Sequence, residues 1–181
     1  MFNDKRSKKI ILVAHCLLNQ NSISDGTADF AATIEIISKY ILNQDVGIIQ
    51  LPCPELHCLG IDRGNTEGSK SDVLIENTRI RSNLLKKESQ IKLQVLVDQT
   101  VFQIEEYIKH KFKIIGVIGI NRSPSCGIDS TSKNNNEING KGVFMTILEN
   151  SLAKKDIQLK MIGIKTSELE LALRKTKKLF N

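Results

Sequence analysis

Three of the four cysteines in this 181-residue chain, Cys16, Cys53 and Cys126, each follow a short run of aliphatic residues. A thiolate is a nucleophile and a soft metal ligand, which suits it to zinc or to an iron–sulfur cluster. A single free cysteine is commonly a buried residue that behaves as a small hydrophobe. Three cysteines at equivalent positions instead predict a shared metal or catalytic site.

Prolines flank two of these cysteines. Pro52 and Pro54 enclose Cys53, and Pro124 precedes Cys126. Because proline fixes φ and removes an amide donor, such turns are stiff and hold side chains in a set direction. We therefore expect rigid turns at this site.

Two polar residues beside the cysteines are candidates for proton transfer or for positioning a water: Glu55, next to Cys53, and Ser123, which precedes Cys126. Cys58 forms a CxxxxC spacing with Cys53, and it either replaces or supplements Cys53 as a ligand or packs in the core. Paired CxxC motifs, which are typical of structural zinc, are absent from the sequence. Three thiolates that hold a cluster would leave one iron free for an exogenous ligand.

Histidines flank two of the cysteines. His15 and His57 each either bind the metal or hydrogen-bond to the backbone, and His110 ends a predicted helix, where a cation opposes the helix dipole.

Four apolar runs predict buried β-strands, and the segments between them are helix-like. The runs cover residues 10–14, 46–51, 114–120 and 159–164. Strands that alternate with helices require crossover connections, so we predict an α/β fold with a mainly parallel sheet. The prediction is one Rossmann-like domain of three layers over residues 1–181. Since ligands bind outside the carboxyl ends of such strands, the three cysteines at those ends would meet at one rim.

The remaining segments give further expectations. Helical spacing predicts helices over residues 30–42, 83–110 and 143–152. Apolar residues near 93–97 cover several faces of the second, so we expect part of it to be buried all round or kinked. Ser167 and Glu170 have the spacing of a capping box that opens a final helix. Polar residues predict a long loop or lid over residues 60–82 and a loop over residues 129–139. The turn at 140–142 is either an anion-cradling turn or an ordinary one.

Charge and composition bear on whether the protein binds nucleic acid, spans a membrane or is secreted. The net charge is +6, and many of the positive residues lie near the two ends of the chain. They either form a solvated surface or bind a polyanion such as RNA. Aromatic residues make up 4% of the chain and tryptophan is absent, which argues against a base-stacking platform. No apolar stretch is long enough to span a membrane, and residues 1–9 lack the pattern of a signal peptide. We therefore expect a cytoplasmic protein, in whose reducing compartment clustered cysteines are ligands or catalytic groups.

Three segments resemble the 2-thiouracil desulfurase family. They are Cys16-Leu17-Leu18, Cys53-Pro54-Glu55 and Arg122-Ser123-Pro124-Ser125-Cys126-Gly127, and their flanking residues are similar to a branch of desulfurase-related desulfidases. The resemblance extends from the first strand to the last.

The resemblance implies a [4Fe-4S] cluster held by Cys16, Cys53 and Cys126, with Cys58 as an alternative second ligand. It implies a non-redox desulfidase that removes sulfur from a thiocarbonyl small molecule, such as a thiolated pyrimidine, and releases sulfide. Glu55 would be the acid or base, and Ser123 a hydrogen-bonding partner in the site.

Two alternatives stand beside this interpretation. One is a non-catalytic module in which the thiols carry zinc or sulfur. The other is a desulfidase for thiolated nucleotides in RNA, which the basic ends of the chain suggest.

Overall fold

The computed structural model describes residues 2–181 and contains a parallel four-stranded sheet. The strands are β1 (Lys9–Val13), β2 (Gly47–Gln50), β3 (Lys113–Ile120) and β6 (Met161–Ile164), in the order β2-β1-β3-β6. A separate antiparallel hairpin consists of β4 (Ser130–Lys133) and β5 (Asn136–Asn139). The helices are α1 (His15–Leu18), α2 (Glu35–Leu42), α3 (Pro54–Leu59), α4 (Val73–Leu84), α5 (Lys87–Lys109), α6 (Val143–Ala153) and α7 (Leu169–Phe180). The predictions of an α/β fold, a mainly parallel sheet and these four strands are confirmed.

Helices cover both faces of the sheet. Along β1, Leu12 packs with α4, α5 and α6, whereas Ile11 and Val13 pack with α2 and α7. Consecutive side chains of a strand point to opposite faces, so a continuous apolar run is what a strand buried on both sides requires. The aliphatic runs of β1 and β3 therefore lie at the centre of the protein, whereas β2 is an edge strand without a fully buried residue and corrects the prediction that its run is buried.

The helix predicted over residues 83–110 corresponds to α5, but its first residues, 83 and 84, belong to the end of α4. Helix α4 ends at Leu84 and α5 begins at Lys87, because Lys86 between them has an extended backbone with ψ of 148°. The part of α5 near residues 93–97 is also not buried all round, since Val95 is 51% exposed. The buried side of α5 is the stripe that contains Leu93 and Ile104.

The loop predicted over residues 60–82 is wrong in its second half, which forms most of α4. Asp72 caps this helix by accepting a hydrogen bond from the Leu74 N–H at 2.8 Å. Helix α4 has few apolar residues and buries the polar residues Glu76 and Asn77, so hydrophobic periodicity does not reveal it.

The loop predicted over residues 129–139 contains the β4–β5 hairpin. Asn134 and Asn135 form its turn with positive φ values of 52° and 57°, which asparagine tolerates. Both strands are polar, and the hairpin is fixed to α4 by a 2.8 Å hydrogen bond from the Asn135 N–H to Thr78 Oγ1. The alternation of apolar and polar residues that indicates a strand is missing here.

Two predicted helix starts are also corrected. Helix α2 begins at Glu35, well after residue 30. Helix α7 begins at Leu169 after a 3₁₀ turn over Thr166–Glu168, and no side chain caps it, so the predicted capping box of Ser167 and Glu170 is absent.

Within residues 2–181, none of the helices combines the length and apolarity that crossing a membrane requires.

Candidate functional site

Three strand–loop junctions supply the three cysteines. Cys16 lies in α1, which follows β1, and Cys53 is the N-cap residue of α3, which follows β2. Cys126 lies in the turn between β3 and β4. All three line one cavity of about 240 Å³. Because β1 lies between β2 and β3 in the sheet, the segments that follow these strands are neighbours.

The turn that carries Cys126 is braced from within. Ser123 Oγ accepts hydrogen bonds from the N–H groups of Ser125 (3.3 Å) and Cys126 (3.0 Å). Gly127 packs so closely that a Cβ atom there would lie 2.1 Å from the carbonyl oxygen of Ser130. The turn is therefore rigid, as the proline in it predicts.

The start of α6 supports the same turn. The N–H of Gly142 donates to Gly127 O (3.0 Å), that of Val143 to Pro124 O (2.9 Å) and that of Phe144 to Ser125 O (3.1 Å). These donors are not free to cradle an anion. The structure thus favours the ordinary turn at 140–142 over the anion-binding one.

Glu55 lines the cavity, and its side chain is almost fully buried. One carboxylate oxygen accepts hydrogen bonds from Ser125 Oγ (2.6 Å) and Ser123 Oγ (3.5 Å). The other accepts from Ser24 Oγ (3.3 Å) and Arg63 Nε (3.2 Å). Four donors thus fix the position of the carboxylate next to the cysteines.

Three of the four partners of Glu55 come from residues that the sequence did not single out: Ser24, Ser125 and Arg63. Ser125 Oγ also lies 3.5 Å from Cys126 Sγ, so it contacts both the carboxylate and one thiol, while its single proton takes part in the shorter bond to Glu55. Arg63 is 2% exposed and donates to Cys53 Sγ at 3.7 Å, so it joins the carboxylate to another. The one feature of the sequence that could have indicated Arg63 is its place in a polar segment shortly after Glu55.

The predicted lid segment contributes to the cavity wall. Arg63, Val73 and Asn77, all within residues 60–82, line the cavity. That this segment opens and closes stays a prediction.

The environment raises the pKa of all three thiols. Burial raises the pKa of Cys16 to about 12, with a further contribution from the negative charges of Cys53 and Glu55. Burial and the charge of Glu55 raise the pKa of Cys53 to about 11, and burial also raises the pKa of Cys126. At neutral pH these groups are thiols, which are poor nucleophiles, and a metal that binds them must displace their protons.

The fourth cysteine lies elsewhere. Cys58 Sγ faces the carbonyl oxygen of Ser89 at 3.7 Å, packs against the core on the α5 side, and is not among the residues that line the cavity. The structure therefore favours Cys53 over Cys58 as a residue of the site.

The histidines divide between the site and the backbone. His57 Nδ1 pairs with Cys53 O at 2.8 Å, and His110 Nδ1 pairs with Glu106 O at 2.7 Å. His15 lines the cavity, and burial lowers its pKa.

Among residues 2–181, no group of three or more histidine, cysteine, aspartate or glutamate side chains is arranged to hold a metal ion.

The chain is similar to the uncharacterized protein MJ0003 of Methanocaldococcus jannaschii. The two are 31% identical over 163 residues, which is 90% of either chain. No family model matches the chain, and no solved structure matches it. This extent of identity shows that the chain belongs to the family of the uncharacterized protein MJ0003.

Proposed function

We propose that this protein is an iron–sulfur-dependent desulfidase that removes sulfur from a thiocarbonyl small molecule, such as a thiolated pyrimidine, without a redox step. One observation carries the proposal: three cysteines from separate segments line a single cavity together with a buried, fully hydrogen-bonded glutamate. The proposal includes a three-layer Rossmann-like fold with the cysteines at the carboxyl ends of its strands, and a cytoplasmic location.

The donor set fits a [4Fe-4S] cluster held by Cys16, Cys53 and Cys126. In such a cluster each thiolate binds a different iron, so the sulfur atoms need not converge on one point as they must for a single ion. The Cys53 sulfur already receives a hydrogen bond from Arg63, and Ser125 Oγ lies 3.5 Å from the Cys126 sulfur. Hydrogen bonds to sulfur are among the means by which proteins tune iron–sulfur clusters.

The reaction converts a thiocarbonyl and water into a carbonyl and hydrogen sulfide, so no electrons are exchanged. When bound, the cluster supplies a thiophilic Lewis acid at the iron that no cysteine holds. The attacking water displaces the longest contact of the Glu55 carboxylate, the 3.5 Å one from Ser123 Oγ, and the carboxylate accepts a proton from this water and returns a proton to the products. Ser125, Ser24 and Arg63 keep that carboxylate in position during this step.

The first test is iron and acid-labile sulfide analysis of protein purified without oxygen. About four irons and four sulfides per chain are expected, and Cys126→Ala should lose them. Cys58→Ala is the matched control, because it removes a cysteine outside the cavity and should retain the cluster. Iron-free wild-type protein after reconstitution would overturn the proposal, and one zinc per chain in its place would favour the non-catalytic module.

A second test separates catalysis from binding. Glu55→Gln should retain the iron and the brown colour while sulfide release from thiolated pyrimidines falls, by about 100-fold for the loss of a general base. A colourless Glu55→Gln variant would show that Glu55 is needed for binding the cluster and would contradict its role in proton transfer.

A further inference from the structure

We propose that Arg63 is the positioning residue of this site: its guanidinium holds the Glu55 carboxylate and the Cys53 sulfur in a fixed relation. This inference rests on the proposed function and adds to it a residue that joins the base to a cluster ligand. Arg63 is therefore expected to influence both the rate of sulfide release and the electronic properties of the cluster.

The contacts of the guanidinium use all three of its nitrogens. Nε donates to Glu55 at 3.2 Å, and Nη2 donates to Cys53 Sγ at 3.7 Å and to the carbonyl oxygen of Ser22. Nη1 donates to the carbonyl oxygens of Gly60 (3.1 Å) and Ile61 (2.9 Å). Since a guanidinium is planar and its donors have fixed directions, these bonds determine where Glu55 and Cys53 lie relative to each other.

A single ammonium group does not replace this arrangement. Lysine offers three donors from one point, so it cannot reach Glu55, Cys53 and Ser22 in the directions that the fork provides. The position thus distinguishes arginine from lysine even though both are cations.

The turn that carries Arg63 is itself held from outside the cavity. Its backbone is in the left-handed region with φ of 56°, and Arg79 Nη2 in α4 donates to its carbonyl oxygen at 2.8 Å. Arg79 in turn is paired with Glu76 at 2.6 Å, and Glu76 accepts from Asn65 at 3.1 Å. One ion pair and the hydrogen bonds around it thus hold a buried residue in an uncommon conformation, which is typical of a residue whose position matters.

The charges of the site require such a residue. Glu55 is buried, and a cysteine that binds iron does so as a thiolate, so two negative groups lie close together away from water. Among the residues that line the cavity, Arg63 is the cation that contacts both of them. An N–H donor on a ligand sulfur also stabilises the more negative, reduced state of a cluster and so raises its reduction potential.

Three variants test the role: Arg63→Met, Arg63→Lys and, as the control, Leu152→Ala. Leu152 lies near the end of α6, is 1% exposed and does not line the cavity, so its truncation destabilises the chain without touching the site. Both Arg63 variants should release sulfide about 10- to 100-fold more slowly and have a more negative midpoint potential than the wild type. The control should retain the wild-type potential.

An unchanged potential and rate in Arg63→Met would overturn the inference. So would full activity in Arg63→Lys, since a cation without the fork would then suffice.

A measurement on cluster-free protein keeps this inference separate from the proposed function. Arg63→Met should lower the melting temperature by about 10 °C, because it leaves a buried carboxylate without its cation. In a double-mutant cycle with Glu55→Gln, the second substitution should cost much less when the first is already present than it does in the wild type. Additive losses would overturn the positioning role even if the cluster binds. Non-additive losses in a protein that binds no iron would support the Arg63–Glu55 pairing while the proposed function fails.

Discussion

Gly142→Ala should displace the turn that carries Cys126. The first residues of α6 lie directly against this turn, and a Cβ atom at Gly142 would come within 2.4 Å of both the carbonyl carbon and oxygen of Ser125. It would also come within 2.8 Å of the Cys126 nitrogen. The backbone of Gly142 has φ of −67°, which alanine adopts freely, so the close approach alone opposes the substitution.

The magnitude follows from these distances. Ordinary contacts of a Cβ atom begin at 3.4 Å, so the turn and the helix must separate by about 1 Å. Overpacking of this kind costs about 1–3 kcal/mol, which for a chain of this length lowers the melting temperature by about 5 °C. A shift of about 1 Å at a ligand or catalytic group can cost roughly 100-fold in rate.

Thermal unfolding of cluster-free protein measures the first effect, and iron content and sulfide release measure the second. Gly68→Ala is the matched control, since its Cβ would meet the nearest atom, Glu76 Oε1, at an ordinary 3.5 Å. The control should be as stable as the wild type or slightly more so. If Gly142→Ala has the wild-type melting temperature and iron content, the close approach of α6 does not position Cys126 and the reasoning is refuted.

Three further predictions concern the carboxylate, acid stability and the core. Ser125→Ala removes the 2.6 Å hydrogen bond to Glu55, and it should release sulfide about 10- to 100-fold more slowly than the wild type at the same substrate concentration. A hydrogen bond from Arg79 lowers the pKa of Glu76, so the stability from this pair is present above the unfolded pKa of about 4.3 and is lost as the pH falls through the folded value. Melting temperatures between pH 7 and pH 3 should therefore fall less in Glu76→Gln than in the wild type. Ile104→Ala truncates a fully buried side chain and should cost about 2–5 kcal/mol in urea unfolding.

Each of these three has an outcome that contradicts it. Wild-type turnover in Ser125→Ala would mean that Glu55 keeps its position without that bond. An equal loss of melting temperature with acid in Glu76→Gln and in the wild type would place the acid sensitivity elsewhere. For the core, Phe102→Ala on the exposed side of the same helix is the control, with an expected change within about 0.5 kcal/mol. A cost for Ile104→Ala no larger than that of the control would be inconsistent with its burial.

The hydrophobic pattern of the sequence predicted the strands of the parallel sheet, but it did not predict the helix and the hairpin that consist mainly of polar residues. The four parallel strands lie in aliphatic runs of the sequence. Such a run indicates a strand from local sequence alone, without knowledge of its neighbours in the fold. Helix α4 and the β4–β5 hairpin were predicted as loops, because their residues are mainly polar and are ordered by contacts with each other. The 2.8 Å bond between Asn135 and Thr78 is one such contact between segments distant in the chain.

The sequence by itself determined which side chains are available for chemistry: Cys16, Cys53, Cys126 and Glu55 are recognisable from their types and from their places after strands. Only the tertiary structure decided how they are held. It directed Cys58 away from the cavity, brought Ser125 onto Glu55, and folded the turn after α3 back so that the Arg63 guanidinium lies between Glu55 and Cys53. The physical reason is that residue type and spacing follow local rules, whereas the direction of a buried side chain depends on partners from several segments that meet only in the folded chain.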